Sequence, residues 1–508
     1  RRGPPAGNSR PGLAREPLAA LRARRGSVLA VQLVVVMTVL RTLAALERIE
    51  HADEAREGIE VAAAAARVVE THWLETGLRA RPWTPSKRIA TLGKGTRLVV
   101  RGQVKSRDSG GCKGKPWYAV HPFGYICSEH VKATKHQPSA GVALADRLTA
   151  GRRLPYDYTK VREDGAAMYR SAEDVVAGNV QKALAAGMNL AVARTLDIGG
   201  ASYVETVDGQ LVAKTAIAWL GQGSAWQGTV IEPGAAPGPA FAWASRDKVP
   251  VLADADPKAA QVALLGLRER VPLLEETGEE DPDRWWKIGD GRFVQAKYLN
   301  EVVFTDIPDG VLRSDRLAAG DDQWIDVDVG EQVLVAYRGA APIYATLISS
   351  GKDSPTPRGN YPIWAKVASM TMANQDYEDK PYMVEHVPWV MLFQGHNALH
   401  GAYWHDQFGK RRSHGCVNLA PRDARWLFEW VAPALPAGWT GYIPSDLERS
   451  VVVHVRDSSL PPDQAFFQER PPGPPDPEEE RRKLELAEER RASEAAAAVP
   501  AATATPGG

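Results

Sequence analysis

The chain has 508 residues, of which 44% are hydrophobic and 24% charged, with 62 Lys+Arg against 62 Asp+Glu. At roughly 150 residues per domain, that length implies about three folded units. The composition excludes wholesale disorder and a polytopic membrane protein, and the balanced charge provides no basic face of the kind a nucleic-acid partner needs.

Residues 1–25 are rich in Pro, Gly and Arg and are expected to be disordered. Arg22, Arg24 and Arg25 then precede an uncharged run, Ser27–Leu40, closed by Arg41. The run has the length of the apolar region of an export signal and is shorter than the ~20 residues that span a bilayer. Extended through Thr42–Leu46, residues 27–46 would instead be an uncleaved inner-membrane anchor; a buried helix is the third reading. The Ala-, Glu-, Arg- and Val-rich segment Leu46–Thr76 reads as a helical stalk.

The interior repeats a short pattern three times: an aromatic or alternating strand, a glycine turn and a second strand. The copies are Trp117–Val120, Pro122–Gly124 and Tyr125–Cys127; Tyr203–Val207, Asp208–Gly209 and Gln210–Ala213; and Trp286–Ile288, Gly289–Gly291 and Arg292–Val294. Arg97–Arg101 and Val271–Leu274 have the alternation or β-branching of preceding strands, whereas Gly221–Pro250 reads as loop. Each hairpin resembles the closing hairpin of a bacterial SH3-like domain. That resemblance implies small β-barrel modules that bind wall glycan or peptide, or act as spacers. The expected units are a leader, anchor and stalk (1–85), modules at 86–150, 151–245 and 246–320, a C-terminal domain (321–456), and a Pro-rich, charged tail (457–508) that is partly helical and otherwise disordered.

The three cysteines are Cys112, Cys127 and Cys416. The first two share one strand-rich segment and can pair in an oxidising compartment, stabilising it by about 3 kcal/mol. Cys416 would then be free, as either a nucleophile or inert core.

From Trp324 the texture changes. Trp324–Val329 alternates strictly, and Gln332–Tyr337 and Ile343–Ile348 complete a three-strand antiparallel meander. Thr356-Pro357-Arg358-Gly359 forces an irregular loop. Of 11 histidines in the chain, His386, His396, His400, His405 and His414 cluster in one short stretch. The segments Leu399-His400-Gly401-Ala402-Tyr403-Trp404-His405 and Ser413-His414-Gly415-Cys416-Val417-Asn418 resemble the L,D-transpeptidase catalytic domain (YkuD-type). Its pattern is a histidine before a small residue, a short insert, and Ser-His-Gly-Cys followed by a hydrophobic residue and Asn or Arg. The resemblance runs from about Trp324 to Val455. With the preceding repeats it implies a mainly β chain: a C-terminal β-sandwich with a short helix after the cysteine, SH3-like modules and an N-terminal helix.

The chemistry of the residues agrees. A free thiol is only a few per cent ionised at neutral pH, so Cys416 needs a nearby histidine. His414 lies beside it in sequence but is badly aimed as a lateral neighbour, and His400 comes from a separate segment. The resemblance implies His400 as general base, oriented by the Gly401 carbonyl, with His414 shaping the cleft. The N–H groups of Gly415 and Cys416 are the expected oxyanion donors, with Ser413 and Asn418 completing the site. Tyr403, Trp404 and Arg358 are the candidate substrate contacts, with ordinary packing as the alternative for the two aromatics. Pro421 can open a helix whose stripe Ala424, Leu427, Phe428 and Val431 faces the core.

Three competitors were weighed. A zinc site has His396 and His400 at i, i+4 with His405 and Cys416 as donors, but no Glu base and flanking glycines that oppose a helix. A papain-like hydrolase needs its histidine after the cysteine, and only His454 follows Cys416. A wall-binding scaffold with a degenerate site conflicts with the complete motif. The resemblance implies no metal and no cofactor. The implied partners are peptidoglycan stem peptides, as donor and acceptor, and the implied location is the cell envelope on the periplasmic side.

Overall fold

A computed structural model describes residues 59–497, except 106–110, 141–143, 145–146, 149–150, 279–282, 313–321, 353–354, 376–377 and 379–381, preceded by Glu47, His51, Glu54, Arg56 and Glu57. The leader expected to be disordered, the export or anchor run 27–46 and the end of the tail lie outside the described residues. Among the described residues, no helix is long and apolar enough to cross a membrane.

The C-terminal half is a β-sandwich, its elements numbered here from its own start. One sheet orders β3 (Ala341–Leu347), β2 (Val333–Arg338), β1 (Gln323–Asp328), β10 (Val452–Arg456) and β4 (Gly359–Pro362), with β1 and β10 parallel. The other joins β9 (Trp439–Tyr442), β5 (Ala365–Ala373), β6 (Met383–Gln394), β7 (Asn397–Gly401) and β8 (Val417–Leu419). The alternation of β1 implies one wet face, yet all six of its residues are buried. Ile325 and Val327 enter the main core, while Trp324 faces a second apolar cluster with Val335, Tyr337 and Leu347. Asp326 and Asp328 survive that burial because Arg456 on β10 holds both, at 2.9 and 2.6 Å.

Helix α1 (Pro421–Trp430) opens on proline, where no N–H is required, and buries Ala424, Leu427 and Phe428, followed by Val431. Its last carbonyls would be unpaired. The buried Lys366 of β5 ends there, its Nζ 2.9 Å from the Phe428 carbonyl and 2.8 Å from that of Pro433.

In the N-terminal half the three hairpins form as pairs Trp117–Val120/Tyr125–Cys127, Ala201–Thr206/Leu211–Ala213 and Trp285–Gly289/Arg292–Gln295. Each continues through a 3-10 turn (Ser128–His130, Lys214–Ala216, Ala296–Tyr298) into a further strand. Cys112 and Cys127 are disulfide-bonded across 5.3 Å between their Cα atoms.

Two expectations need correction. The stalk helix expected over Leu46–Thr76 stops short: Glu47, His51, Glu54 and Arg56 are helical, whereas Ala62–Thr71 and Glu75–Arg79 are strands. Helical propensity yields there to tertiary pairing, because Val68–Glu70 pair at once with Arg97–Val99 on one side and Lys132–Thr134 on the other. Gly221–Pro250 is not simply loop, since Thr229–Val230 adds an edge to β3 and Gly238–Ala244 pairs with Leu299–Phe304. The N-terminal half also feeds the second sheet: Arg88–Gly93 pairs with β9, and Asn189 pairs with Val384 of β6.

Candidate active site

The site is built on the parallel pairing of β7 and β8, which places His400 opposite Asn418 and Leu399 opposite Val417. Paired residues share a sheet face, and so do residues two apart. Cys416, immediately before β8, is therefore presented diagonally to His400. Its sulfur lies 3.8 Å from the His396 carbonyl, and the residue is half-buried. His400 is only 2% exposed and its ring lies against Trp404, with centroids 5.8 Å apart.

The Nδ1 of His400 lies 3.4 Å from the Gly401 carbonyl. A carbonyl only accepts, so in the neutral ring Nδ1 carries the proton and Nε2 keeps a free lone pair. Gly401 is closely packed: a Cβ there would meet Pro388 and Trp389 at 3.3 Å, tighter than an ordinary contact. Burial pushes the His400 imidazole down to about 4 and the Cys416 thiol up to about 11. At neutral pH both partners rest uncharged. The pair is thus held as imidazole and thiol rather than as a thiolate–imidazolium ion pair.

Hydroxyls shape the turn before the cysteine. Ser413 donates to the Cys416 carbonyl and accepts from the Gly415 N–H at 3.2 Å. Thr356 donates to the Gly415 carbonyl at 2.8 Å and accepts from the Gly351 N–H at 3.0 Å. Gly415 sits at φ +125°, which L side chains rarely adopt. Its N–H, expected to face an oxyanion, is given to Ser413 instead. His414 is exposed, its ring 5.6 Å from that of Tyr382. Tyr382 escaped the sequence reading because it lies on the loop before β6, yet its phenol is held well up by burial and by the nearby Cys416.

The expected substrate contacts divide. Trp404 borders the cleft beside His400, whereas Tyr403 is 2% exposed and stacks on Tyr158 at 3.6 Å, with its hydroxyl on the Glu385 carbonyl at 2.8 Å. Tyr403 is a packing residue that docks residues 151–221 behind the site. Arg358 is occupied by its own chain, because Glu469 takes its Nε at 2.8 Å, the Gln464 carbonyl takes an NH2 at 2.6 Å, and Phe467 lies 4.4 Å beneath the guanidinium. These partners correct the expected disorder of 457–476: that segment wraps the domain and leads into helix α2 (Pro477–Ala497).

The remaining histidines of the cluster separate in space. His386 docks on Asp208 at 3.0 Å, and His396 faces Glu480 of α2 at 3.3 Å. Because His396 lies in a turn and His400 on β7, the i, i+4 spacing is not a helical one. Among the described residues no group of three His, Cys, Asp or Glu converges to hold a metal. His405, a metal donor on its sequence spacing, instead has its Nε2 2.9 Å from the Asn418 amide.

Comparison with known proteins fits this geometry. Residues 322–453 match the family of the L,D-transpeptidase catalytic domain. The chain is similar to YciB of Bacillus subtilis, which carries an L,D-transpeptidase name, at 29% identity over 120 residues. That alignment covers 21% of this chain and 59% of the relative, so the chain spans about three fifths of the relative's length. Among solved structures it is similar to an Enterococcus faecium L,D-transpeptidase (25% identity, 27% of this chain and 50% of that one, TM-score 0.21). It is also similar to one from Mycobacterium smegmatis (21% identity, 27% and 58%, TM-score 0.21).

Proposed function

We propose that the L,D-transpeptidase catalytic domain at residues 322–453 acts on peptidoglycan stem peptides through a cysteinyl thioester. The observation that carries this reading is a single one: the strand register sets His400 and Cys416 on one sheet face, with the His400 Nδ1 at the Gly401 carbonyl, which leaves Nε2 as the acceptor nitrogen. As the Cys416 sulfur attacks the carbonyl of the donor's third residue, Nε2 takes the thiol proton. The resulting imidazolium returns a proton to the D-Ala amine, which leaves, and the acyl group stays on sulfur. Buried and otherwise neutral, the pair gains its charges only while the substrate excludes water from the cleft.

An amine from a neighbouring stem resolves the thioester into a 3→3 cross-link; a lipoprotein amine would give wall attachment, and water a carboxypeptidase. The three β units before the domain are read as SH3-like modules that hold wall glycan or set the distance to it. The bridged Cys112–Cys127 pair beside a free Cys416 supports an envelope location, because disulfides persist in oxidising compartments. The test is incubation with defined muropeptides and identification of products by mass. Release of D-Ala is expected, and so is one covalent adduct with a carbapenem; failure to release D-Ala from any donor overturns the reading.

A further inference from the structure

Residues 402–416 join β7 to β8 without a helix or strand of their own, and both ends of the loop carry groups of the site. Trp404 lies against His400 at one end, and Ser413 bonds the Cys416 carbonyl at the other. A loop of that length keeps one shape only where it is tied down. The catalytic domain ties Gln407, Gly409 and Arg412 to the segment Ile348–Ser350. The remaining ties come from outside residues 322–453. The Asp406 carboxylate accepts from the Ser224 hydroxyl at 2.5 Å and from the Arg268 guanidinium at 2.8 Å, and a second guanidinium nitrogen donates to the Asp406 carbonyl at 2.7 Å. Phe408 is buried in one apolar cluster with Trp243, Val302 and Phe304. The buried Asn300 amide donates to the Gly409 carbonyl at 3.2 Å and to that of Glu331 at 2.8 Å.

Arg268 lies in the turn between the strands Gln261–Leu265 and Arg270–Pro272 at φ +62°, a left-handed conformation that is costly for a residue with a side chain. Its side chain is 11% exposed, and its guanidinium lies 5.3 Å from the Trp226 ring. The Asp406 carboxylate is open to water, so the ion pair adds little to stability. A two-point grip on side chain and main chain together fixes geometry instead. We propose that residues 224–304 are a clamp on the catalytic loop, with Arg268 as its positioning residue: acting through Asp406, it keeps Trp404 against His400 at one end of the loop and Ser413 on the Cys416 turn at the other. This goes beyond the reading of these units as wall-holding modules or spacers, and rests on the transpeptidase reading for the reaction that reports it.

Two measurements on the full chain test it. Hydrogen–deuterium exchange reads the clamp without substrate. Arg268→Ala should speed exchange within residues 404–413 by about tenfold or more and leave β7 and β8 unchanged; unchanged exchange in the loop overturns the proposal. Carbapenem acylation reads the consequence. Arg268→Ala is expected to lose about 20-fold in the saturating rate, with the half-saturating concentration moved less than about twofold, since misplaced groups cost rate rather than binding. Arg268→Lys, which keeps a charge at Asp406, should return to within about fivefold of wild type. Asp406→Ala alone should lose about tenfold, and the double variant with Arg268→Ala less than about 60-fold, because both changes remove one contact. Losses that multiply, a loss confined to the half-saturating concentration, or equal losses in Arg268→Ala and Arg268→Lys overturn it. Because exchange is read without substrate, absence of a carbapenem adduct or of D-Ala release in the unaltered protein counts against the transpeptidase reading alone.

Discussion

The two walls of the cleft around Cys416 are held by different means. One is strand: His400 and Asn418 are fixed by the β7–β8 register, and behind them Trp404, Tyr403 and Tyr158 pack in series. The other is loop: the turn Ser413–Gly415, the Thr356–Arg358 segment and the Gly395–His396 turn owe their positions to hydroxyls and to the C-terminal segment. Strand register places an atom because every neighbour along the ladder must shift with it, whereas a loop held by a few polar contacts can yield. On the proposed mechanism the base is then the group on the strand wall, and the groups that admit substrate are those on the loop wall.

The sharpest way to break this comparison is to exchange the two flanking histidines. His400→Ala should lower carbapenem acylation by about 1000-fold or more, within the range of lost general-base catalysis, and leave the fold intact. His414→Ala should cost less than about tenfold. Rates followed by adduct mass decide it, and the reverse order would move the base to the loop wall. Next in size is Ser413→Ala, which removes both bonds that the Ser413 hydroxyl makes at the Gly415 turn. A loss of about 30-fold in acylation is expected, from roughly two hydrogen bonds; an unaffected rate would mean that Thr356 and the glycine conformation suffice to set the turn.

The strand wall also carries a pH signature. His400 and His405 are both pushed down to about 4, His400 chiefly by burial, and His405 by burial and then by Arg412. Unfolded histidine titrates near 6.5. As pH falls through 6.5 the unfolded chain takes up protons that the folded rings refuse, so stability declines from about pH 6.5 towards 4. Acylation should have its acid limb near pH 4, where His400 itself protonates, so activity outlasts the onset of destabilisation. Melting temperature and acylation rate measured across pH 3.5–8 test both points, and an acid limb near 6.5 would place the base in open water.

What could be read in the sequence follows the same division. The Ser-His-Gly-Cys run, His400 and the helix stripe after Pro421 are local patterns, and the catalytic domain they imply is matched over 322–453. Tertiary choices were not legible. The β1 alternation gave no hint that Asp326 and Asp328 would be buried against Arg456, more than 120 positions away. Ala62–Thr71 has the composition of a helix and becomes a strand because two partners pair along its two edges. Tyr403 resembles a groove aromatic until Tyr158 is found stacked on it. Likewise, nothing near Arg358 announces Glu469, and a Pro-rich tail carries the marks of disorder even where it docks.

That tail gives the smallest and most discriminating effect. Glu469 accepts from the Arg358 side chain and backbone N–H, and donates its own N–H to the Arg358 carbonyl, so it fixes the outer end of the loop that Thr356 anchors on Gly415. Both side chains remain partly open to solvent, at 16% and 26%, so screening limits the strength of the pair. Glu469→Gln keeps the shape and one acceptor and removes the charge. A stability loss of about 1 kcal/mol or less is expected, shrinking as salt is raised, since an exposed pair is worth no more. Acylation should change by less than about twofold, because the Thr356 hydroxyl still holds Gly415 from the inner end. A tenfold fall in acylation without a matching loss of stability would show that the C-terminal segment sets the catalytic turn itself. The loop wall would then be as closely specified as the strand wall, by contacts made more than 100 positions away in the chain.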